Sequence, residues 1–159
     1  MNENQIKPMK MKWYKFLIYF SLFASAIANI LYGIFFVSKV ITYSDESLSN
    51  ILYRLYPSLK MIDLIYGIGC ILIAIFTFYT RFQLSSRRTH GPKMLTYFYV
   101  ACMTISVYSI GAYIVIMGLE QLNTQLLVVF VGSVQIISSI IMILINKKYF
   151  KKRADIFIN

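Results

Sequence analysis

The chain has 159 residues, of which 58% are hydrophobic and only 14% are charged, and its formal net charge is +10. A soluble domain of this length could not bury so much apolar surface, so the composition excludes an ordinary soluble protein and predicts one membrane-embedded domain. The positive charge does not indicate nucleic-acid binding, because the basic residues lie near the ends of apolar stretches, where anionic lipid headgroups attract them.

Four apolar stretches dominate the chain, and each is near the ~20 residues that a helix needs to cross ~30 Å of hydrocarbon. We therefore expect an all-α protein, a four-helix transmembrane bundle with short interfacial helices. Residues 1–15 form a basic amino terminus, residues 16–146 the membrane domain and residues 147–159 a basic amphipathic tail. The predicted spans are residues 16–37, 61–80, 94–117 and 126–145.

The start of the chain resembles a secretion signal, with lysines followed by an apolar run and the small-residue sequence Ala26-Ile27-Ala28. Because the apolar run continues to Val37, we expect a signal anchor rather than a cleaved peptide. Four residues that are small or polar recur every four positions, which places them on one face of the first span. They are Ser21, Ser25, Asn29 and Gly33.

The first connection has the pattern of a short surface helix. Ser44, followed by Asp45 and Glu46, resembles a helix N-cap, and Pro57 marks a stop. Apolar residues between them share one helical face, which predicts a helix lying on the membrane surface or, alternatively, a lid over a cavity. They are Leu48, Ile51, Leu52 and Leu55.

The second span has the most regular small and polar face, with spacings of three and four residues. It consists of Asp63, Gly67, Cys70, Ala74, Thr77 and Arg81. An acidic residue in a span is costly, so we expect Asp63 either to reach the interface or, if it is buried, to be paired or involved in proton coupling. The shared patterns Asn29-x-x-Tyr32-Gly33 and Asp63-x-x-Tyr66-Gly67 predict a close crossing of the first two helices.

Each of the last two spans also has such a face: Cys102, Ser106, Ser109 and Tyr113 on the third, and Gly132, Gln135, Ser139 and Asn146 on the fourth. We interpret these faces mainly as helix packing, because small residues let helix backbones approach in lipid. The residues assigned to packing are Ser21, Ser25, Gly33, Gly67, Cys70 and Ala74. Alternatively, Asn29, Asp63 and Gln135 line a polar interior for a small solute.

The basic residues predict the orientation of the chain. Thirteen of the 16 lysines and arginines lie in the amino terminus, the second connection and the carboxyl tail, so the positive-inside rule places both termini in the cytoplasm. If the fourth helix continues into the tail, its basic side faces anionic lipid headgroups, and Arg153 lies amid its aromatic side. The tail could equally serve only as a stop-transfer anchor. The residues expected at the headgroups are Lys147, Lys148, Lys151, Lys152 and Arg153.

Several segments carry a family resemblance: residues 13–20 (WYKFLIYF), 66–68 (YGI), 79–82 (YTRF) and 149–159 (YFKKRADIFIN). Through them the chain after residue 12 resembles an uncharacterised group of small four-span membrane proteins of low-GC Gram-positive bacteria. Some relatives carry an amino-terminal zinc ribbon, which is absent here because no cysteine precedes Cys70. The resemblance implies a bacterial plasma-membrane location and no activity.

No motif predicts catalysis, a metal or a cofactor: the sequence has no H-E-x-x-H, Walker A or G-x-S-x-G pattern, and its one histidine, His90, stands alone. We therefore expect a non-enzymatic integral membrane protein that acts as a structural, assembly or accessory component of the plasma membrane. It would be surrounded by the lipid bilayer and would associate with itself or with another membrane protein. The alternative is a small-solute or ion transporter that acts as an oligomer.

Overall fold

The computed structural model describes residues 11–41, 48–118, 126–153 and 157, with the side chains of residues 48–50 and 126–128 left aside. All regular elements formed by these residues are helices, as expected for a chain whose backbone groups must be satisfied within lipid. The first span comprises α1 (Lys12–Phe16), a π-helical turn (Leu17–Ser21) and α2 (Leu22–Ile41). It is followed by α3 (Leu48–Leu55), α4 (Ser58–Ser85), α5 (Gly91–Met117) and α6 (Leu126–Lys151).

Four of these helical segments are long and apolar enough to cross a membrane, which confirms the predicted fold class. Each is longer than the apolar stretch from which it was predicted; α4, for example, continues to Ser85 rather than ending at residue 80. Helical hydrogen bonding does not stop at the edge of the hydrocarbon, so polar residues extend each helix beyond its apolar part. The four spans alternate in direction, and α4 is the most buried of them.

We call the two ends of the bundle the basic end and the acidic end. The basic end contains the start of α1, the connection between α4 and α5, and the end of α6; the acidic end contains α3 and Asp63. Contacts join α2 to α4, α4 to α5, and α5 to α6, whereas the first and fourth spans make few contacts among the described residues. The bundle therefore has a seam between α2 and α6.

The first two spans cross closely at two glycines, as the sequence predicts. A methyl group on Gly33 would lie 3.0 Å from the carbonyl oxygen of Gly67, and one on Gly67 would lie 3.1 Å from the carbonyl oxygen of Gly33. These distances are shorter than ordinary Cβ contacts. The obstructing atoms belong to the backbone, so they cannot move aside as a flexible side chain can. Only glycine lets the two helices approach this closely.

The predicted polar and small faces turn inward. On α4, the residues from Asp63 through Thr77 in this pattern are all buried, and Arg81 is half-buried. The Arg81 Nε donates a hydrogen bond of 3.0 Å to the Ile18 carbonyl, which lies within the π-helical turn. A π-turn shifts the normal i to i−4 pairing, so a side-chain donor at this point helps to satisfy the altered backbone.

At the acidic end, α3 packs on the bundle through a residue outside its predicted apolar face. Ile51 and Leu55 of the expected apolar face are exposed, whereas Tyr53 is buried against the bundle. The Tyr53 hydroxyl donates a hydrogen bond to the buried Asp63 carboxylate, which an apolar side chain cannot do. The predicted N-cap at Ser44 lies outside the described residues.

The tail also differs from a straight interfacial helix. The fourth helix ends at Lys151, and Phe157 packs against Tyr14 and Phe150, with ring centroids 6.1 and 5.4 Å away. Burial of its ring against two aromatic neighbours explains why this part of the tail lies on the bundle.

Candidate functional site: an aspartate cluster and an intramembrane cavity

Asp63 lies near the start of α4 and is completely buried. Its carboxylate accepts a hydrogen bond of 2.6 Å from the Tyr53 hydroxyl and another from the Tyr113 hydroxyl, and it forms an ion pair of 3.0 Å with Lys39 Nζ. These partners come from α3, α5 and the end of α2. One carboxylate therefore joins four helices at the acidic end, and we call this group the Asp63 cluster.

The surroundings of Asp63 compensate its charge. The Lys39 side chain is 19% exposed, and its ammonium lies 5.7 Å from the ring centre of Phe36 and 5.2 Å from that of Tyr53. Burial, reinforced by the hydrogen bond to Asp63, raises the pKa of Tyr53, so this hydroxyl stays protonated and donates. A buried carboxylate is tolerated when an opposite charge and hydrogen-bond donors surround it in this way.

The sequence identified Asp63 but missed its partners. Lys39 lies just after the first predicted span, residues 16–37, and Tyr53 lies off the predicted apolar face of α3. One pattern could have found Lys39: it follows the first apolar stretch closely, at a depth similar to that of Asp63 on an antiparallel neighbour. No local pattern singles out Tyr53, because its role depends on how α3 folds back.

A cavity of about 310 Å³ lies within the bundle and is lined by residues from all four spans. It brings together Asn29 of α2 and Gln135 of α6, two of the three residues predicted for a polar interior. Asp63, the third, does not line it. The predicted polar set is therefore divided between a closed ion-paired cluster and a separate cavity.

The polar groups of this cavity are two amides, three hydroxyls and two thiols. Asn29 Nδ2 donates a hydrogen bond of 2.8 Å to the Ser25 carbonyl, one helical turn earlier. Cys70 and Cys102 are buried free thiols in the cavity wall. Within the described parts of the chain, no three metal-binding side chains come together.

The cavity opens towards the outside of the bundle along the seam. Three of its lining residues on α2 are exposed, namely Ala24, Ala28 and Tyr32. Gln135 and Asn29 are each half-buried. Polar amides are therefore accessible through a gap between two spans, and not only from the interior.

The residues assigned to helix packing have different degrees of burial. Gly33, Gly67, Cys70 and Ala74 are buried, whereas Ser21 and Ser25 are half-buried. The small and polar face of the second span is thus buried from Asp63 to Thr77, whereas the polar residues of the first span, Ser21, Ser25 and Asn29, are only half-buried.

The basic tail residues do not act as one group. Lys147, Lys148, Lys151 and Lys152 are exposed, but only Lys147 and Lys151 line a second cavity at the basic end. Arg153 is half-buried, with its guanidinium carbon 3.9 Å from the ring centre of Tyr149. This stacking explains how an arginine is accommodated on the aromatic side of the tail.

Comparison of the chain with protein-family models, with curated proteins and with solved structures finds no match. The functional interpretation therefore depends on the geometry of the molecule.

Proposed function

We propose that this chain is a non-enzymatic, multi-pass protein of a bacterial plasma membrane that acts as an assembly or accessory component and associates with a second copy of itself. The observation that carries the proposal is the open seam between α2 and α6, through which the amides of Asn29 and Gln135 are accessible. In lipid, polar side chains at a helix surface favour association with another helix that can hydrogen-bond to them.

A second copy is the partner that best fits this seam. A primary amide carries both donors and an acceptor, so Asn29 and Gln135 can pair with the same residues of another copy across a two-fold axis. The exposed Ala24 and Ala28 leave room beside them for a helix backbone to approach. The Asp63 cluster, with its charge already paired, supports a structural role for the acidic end.

The orientation follows from the distribution of charge. The positive-inside rule places the basic end and both termini in the cytoplasm. In this orientation the exposed lysines Lys147, Lys148, Lys151 and Lys152 lie where anionic headgroups are concentrated, with Arg153 beside them.

Cysteine cross-linking in native membranes tests the association. After Cys70→Ala and Cys102→Ala, a cysteine is introduced by Ala28→Cys at the seam or, as a control, by Leu72→Cys on α4. Both positions are exposed and near the middle of their spans. We expect oxidation to give a disulfide-linked dimer of the Ala28→Cys variant and not of the Leu72→Cys variant.

The possible results separate the alternatives. A disulfide-linked product of the Ala28→Cys variant whose mass includes a different protein would indicate hetero-assembly at the same seam instead of self-association. Equal dimer yields from both variants would indicate random collision, and monomers alone would contradict association at the seam.

The cavity also favours a second candidate, transport of a small neutral polar solute by the oligomer. Its volume of about 310 Å³ is at the lower end of those that accommodate small ligands. Flux into liposomes that is abolished by Gln135→Leu, without loss of folding, would support this candidate. Because Asp63 lies outside the cavity, we expect Asp63→Asn to affect folding more than flux.

A further inference from the structure

A second cavity, of about 560 Å³, lies at the basic end between the start of α5 and the end of α6. Three lysines from two separate segments line it: Lys93, Lys147 and Lys151. No acidic side chain lies among its lining residues in the described part of the chain. Three ammonium groups around one cavity repel one another unless an anion lies between them.

The wall of the cavity also contains a buried amide. Asn146 is 3% exposed, and its Oδ1 accepts a hydrogen bond of 3.0 Å from Trp13 Nε1. The Nδ2 of this amide is buried as well, so Asn146 shapes the wall and is not a donor to a ligand in the cavity.

The start of α5 adds a second favourable contribution for an anion. The helix begins at Gly91 with Pro92 in its first turn, and His90 provides no side-chain cap. Thr89, Pro92 and Lys93 line the cavity, so the positive end of the helix dipole faces it.

The remaining walls are apolar. Phe150 and Phe157 line the same cavity, with their ring centroids 5.4 Å apart and both side chains buried. A ligand that fits this site therefore combines an anionic group with an apolar portion. Phosphate esters of lipids have this combination, and the cavity lies at the end of the spans, where lipid headgroups are found.

We propose that this cavity, which we call the Lys93 cavity, binds a phosphate group. Lys93, Lys147 and Lys151 provide the counter-charge. The phosphate could be supplied by the headgroup of an anionic phospholipid or by a free phosphate, and the two sources are distinguished below. This inference does not depend on association at the seam.

The tail provides a control with the same charge. Lys148 and Lys152 are exposed but do not line the cavity. The variants Lys93→Gln/Lys151→Gln and Lys148→Gln/Lys152→Gln each remove two positive charges from the basic end. Since all four side chains are exposed, both variants are expected to fold, and thermal unfolding without ligand checks this.

Binding is measured on full-length protein in a phosphate-free detergent by native mass spectrometry and thermal unfolding. The probes are phosphatidylglycerol, phosphatidylcholine and inorganic phosphate, each in a separate titration. We expect phosphatidylglycerol to bind the unsubstituted protein and the Lys148→Gln/Lys152→Gln variant with similar affinity. We expect its affinity for the Lys93→Gln/Lys151→Gln variant to fall about thirtyfold, as for the loss of two lysine contacts to an anionic headgroup.

Each result has a defined meaning. Selective loss of phosphatidylglycerol binding supports a lipid headgroup, and equal stabilisation by inorganic phosphate at the same concentration supports a free phosphate. Equal losses in both double variants would overturn the proposal, because the effect would then be due to the overall charge of this end. Absence of binding by all three probes would also overturn it.

Discussion

At the scale of single residues, the decisive feature is the complete burial of Asp63. A carboxylate within a span is costly, and the cost is offset when donors and a cation surround it. Lys39 provides the cation, and Tyr53 and Tyr113 provide the donors. The cluster therefore acts as a polar anchor at the acidic end of the bundle.

Removal of one hydroxyl should weaken this anchor measurably. Tyr113→Phe leaves the ring in place and deletes a hydrogen bond to a buried carboxylate, so we expect the free energy of unfolding to fall by about 1.5–3 kcal/mol. Denaturant unfolding in detergent measures the change. The control Tyr97→Phe alters a 58% exposed side chain on the same helix and should change stability by less than about 0.5 kcal/mol. Equal stability of the two variants would contradict the role of the Tyr113 hydroxyl.

At the scale of helices, the closest contact is the crossing of α2 and α4. A methyl group on Gly33 would also lie 2.6 Å from Cγ1 of Ile71, and one on Gly67 would lie 2.9 Å from Cγ2 of Val37. The side chains could adjust, but the opposing glycine carbonyls could not adjust without separating the helices. Dispersion contacts in lipid depend steeply on this separation.

Substitution of these glycines tests the crossing. We expect Gly33→Ala and Gly67→Ala each to destabilise the protein by about 1–3 kcal/mol, the usual cost of overpacking. The double variant Gly33→Leu/Gly67→Leu should disrupt the fold. Gly111→Ala is the matched control, because a Cβ at Gly111 meets no atom within 4 Å and should be neutral or stabilising by about 1 kcal/mol. Unchanged stability of the double leucine variant in detergent would refute the crossing.

At the scale of the whole molecule, two different ends and a lateral seam define what the bundle can contact. At the acidic end the buried Asp63 is paired with Lys39, whereas the basic end presents exposed lysines and the Lys93 cavity. The seam provides a lateral surface between the two ends. Assembly in the membrane plane and recognition of an anion at one membrane face are therefore compatible with each other.

The orientation can be tested with single cysteines at exposed positions of the two ends. Ser58→Cys lies at the start of α4 and Ser86→Cys just after its end. We expect a membrane-impermeant maleimide to label Ser58→Cys in intact cells and Ser86→Cys only after permeabilisation, because the positive-inside rule places the basic end in the cytoplasm. Cys70 and Cys102 are buried and should not react. The reverse labelling pattern would overturn the proposed topology, as would an epitope tag on either terminus that is accessible from outside.

The sequence by itself determined the number of spans and their inward faces. A helix buries residues repeated at intervals of three and four, so the residues from Asp63 to Thr77 in this pattern could be assigned to one face, and all of them are buried. The crossing at Gly33 and Gly67 was also predictable, because glycines at matching depths on neighbouring antiparallel helices permit close approach.

Only the tertiary structure decided which polar residues meet. Lys39, Tyr53 and Tyr113 are 24, 10 and 50 residues from Asp63 in the chain, and no local period relates them. Likewise, Lys93 joins Lys147 and Lys151 around one cavity, while Lys148 and Lys152 lie outside it. Periodicity specifies the direction of a side chain about its own helix axis. The rotation and offset of one helix against another depend on packing over the whole interface, which a sequence pattern does not encode.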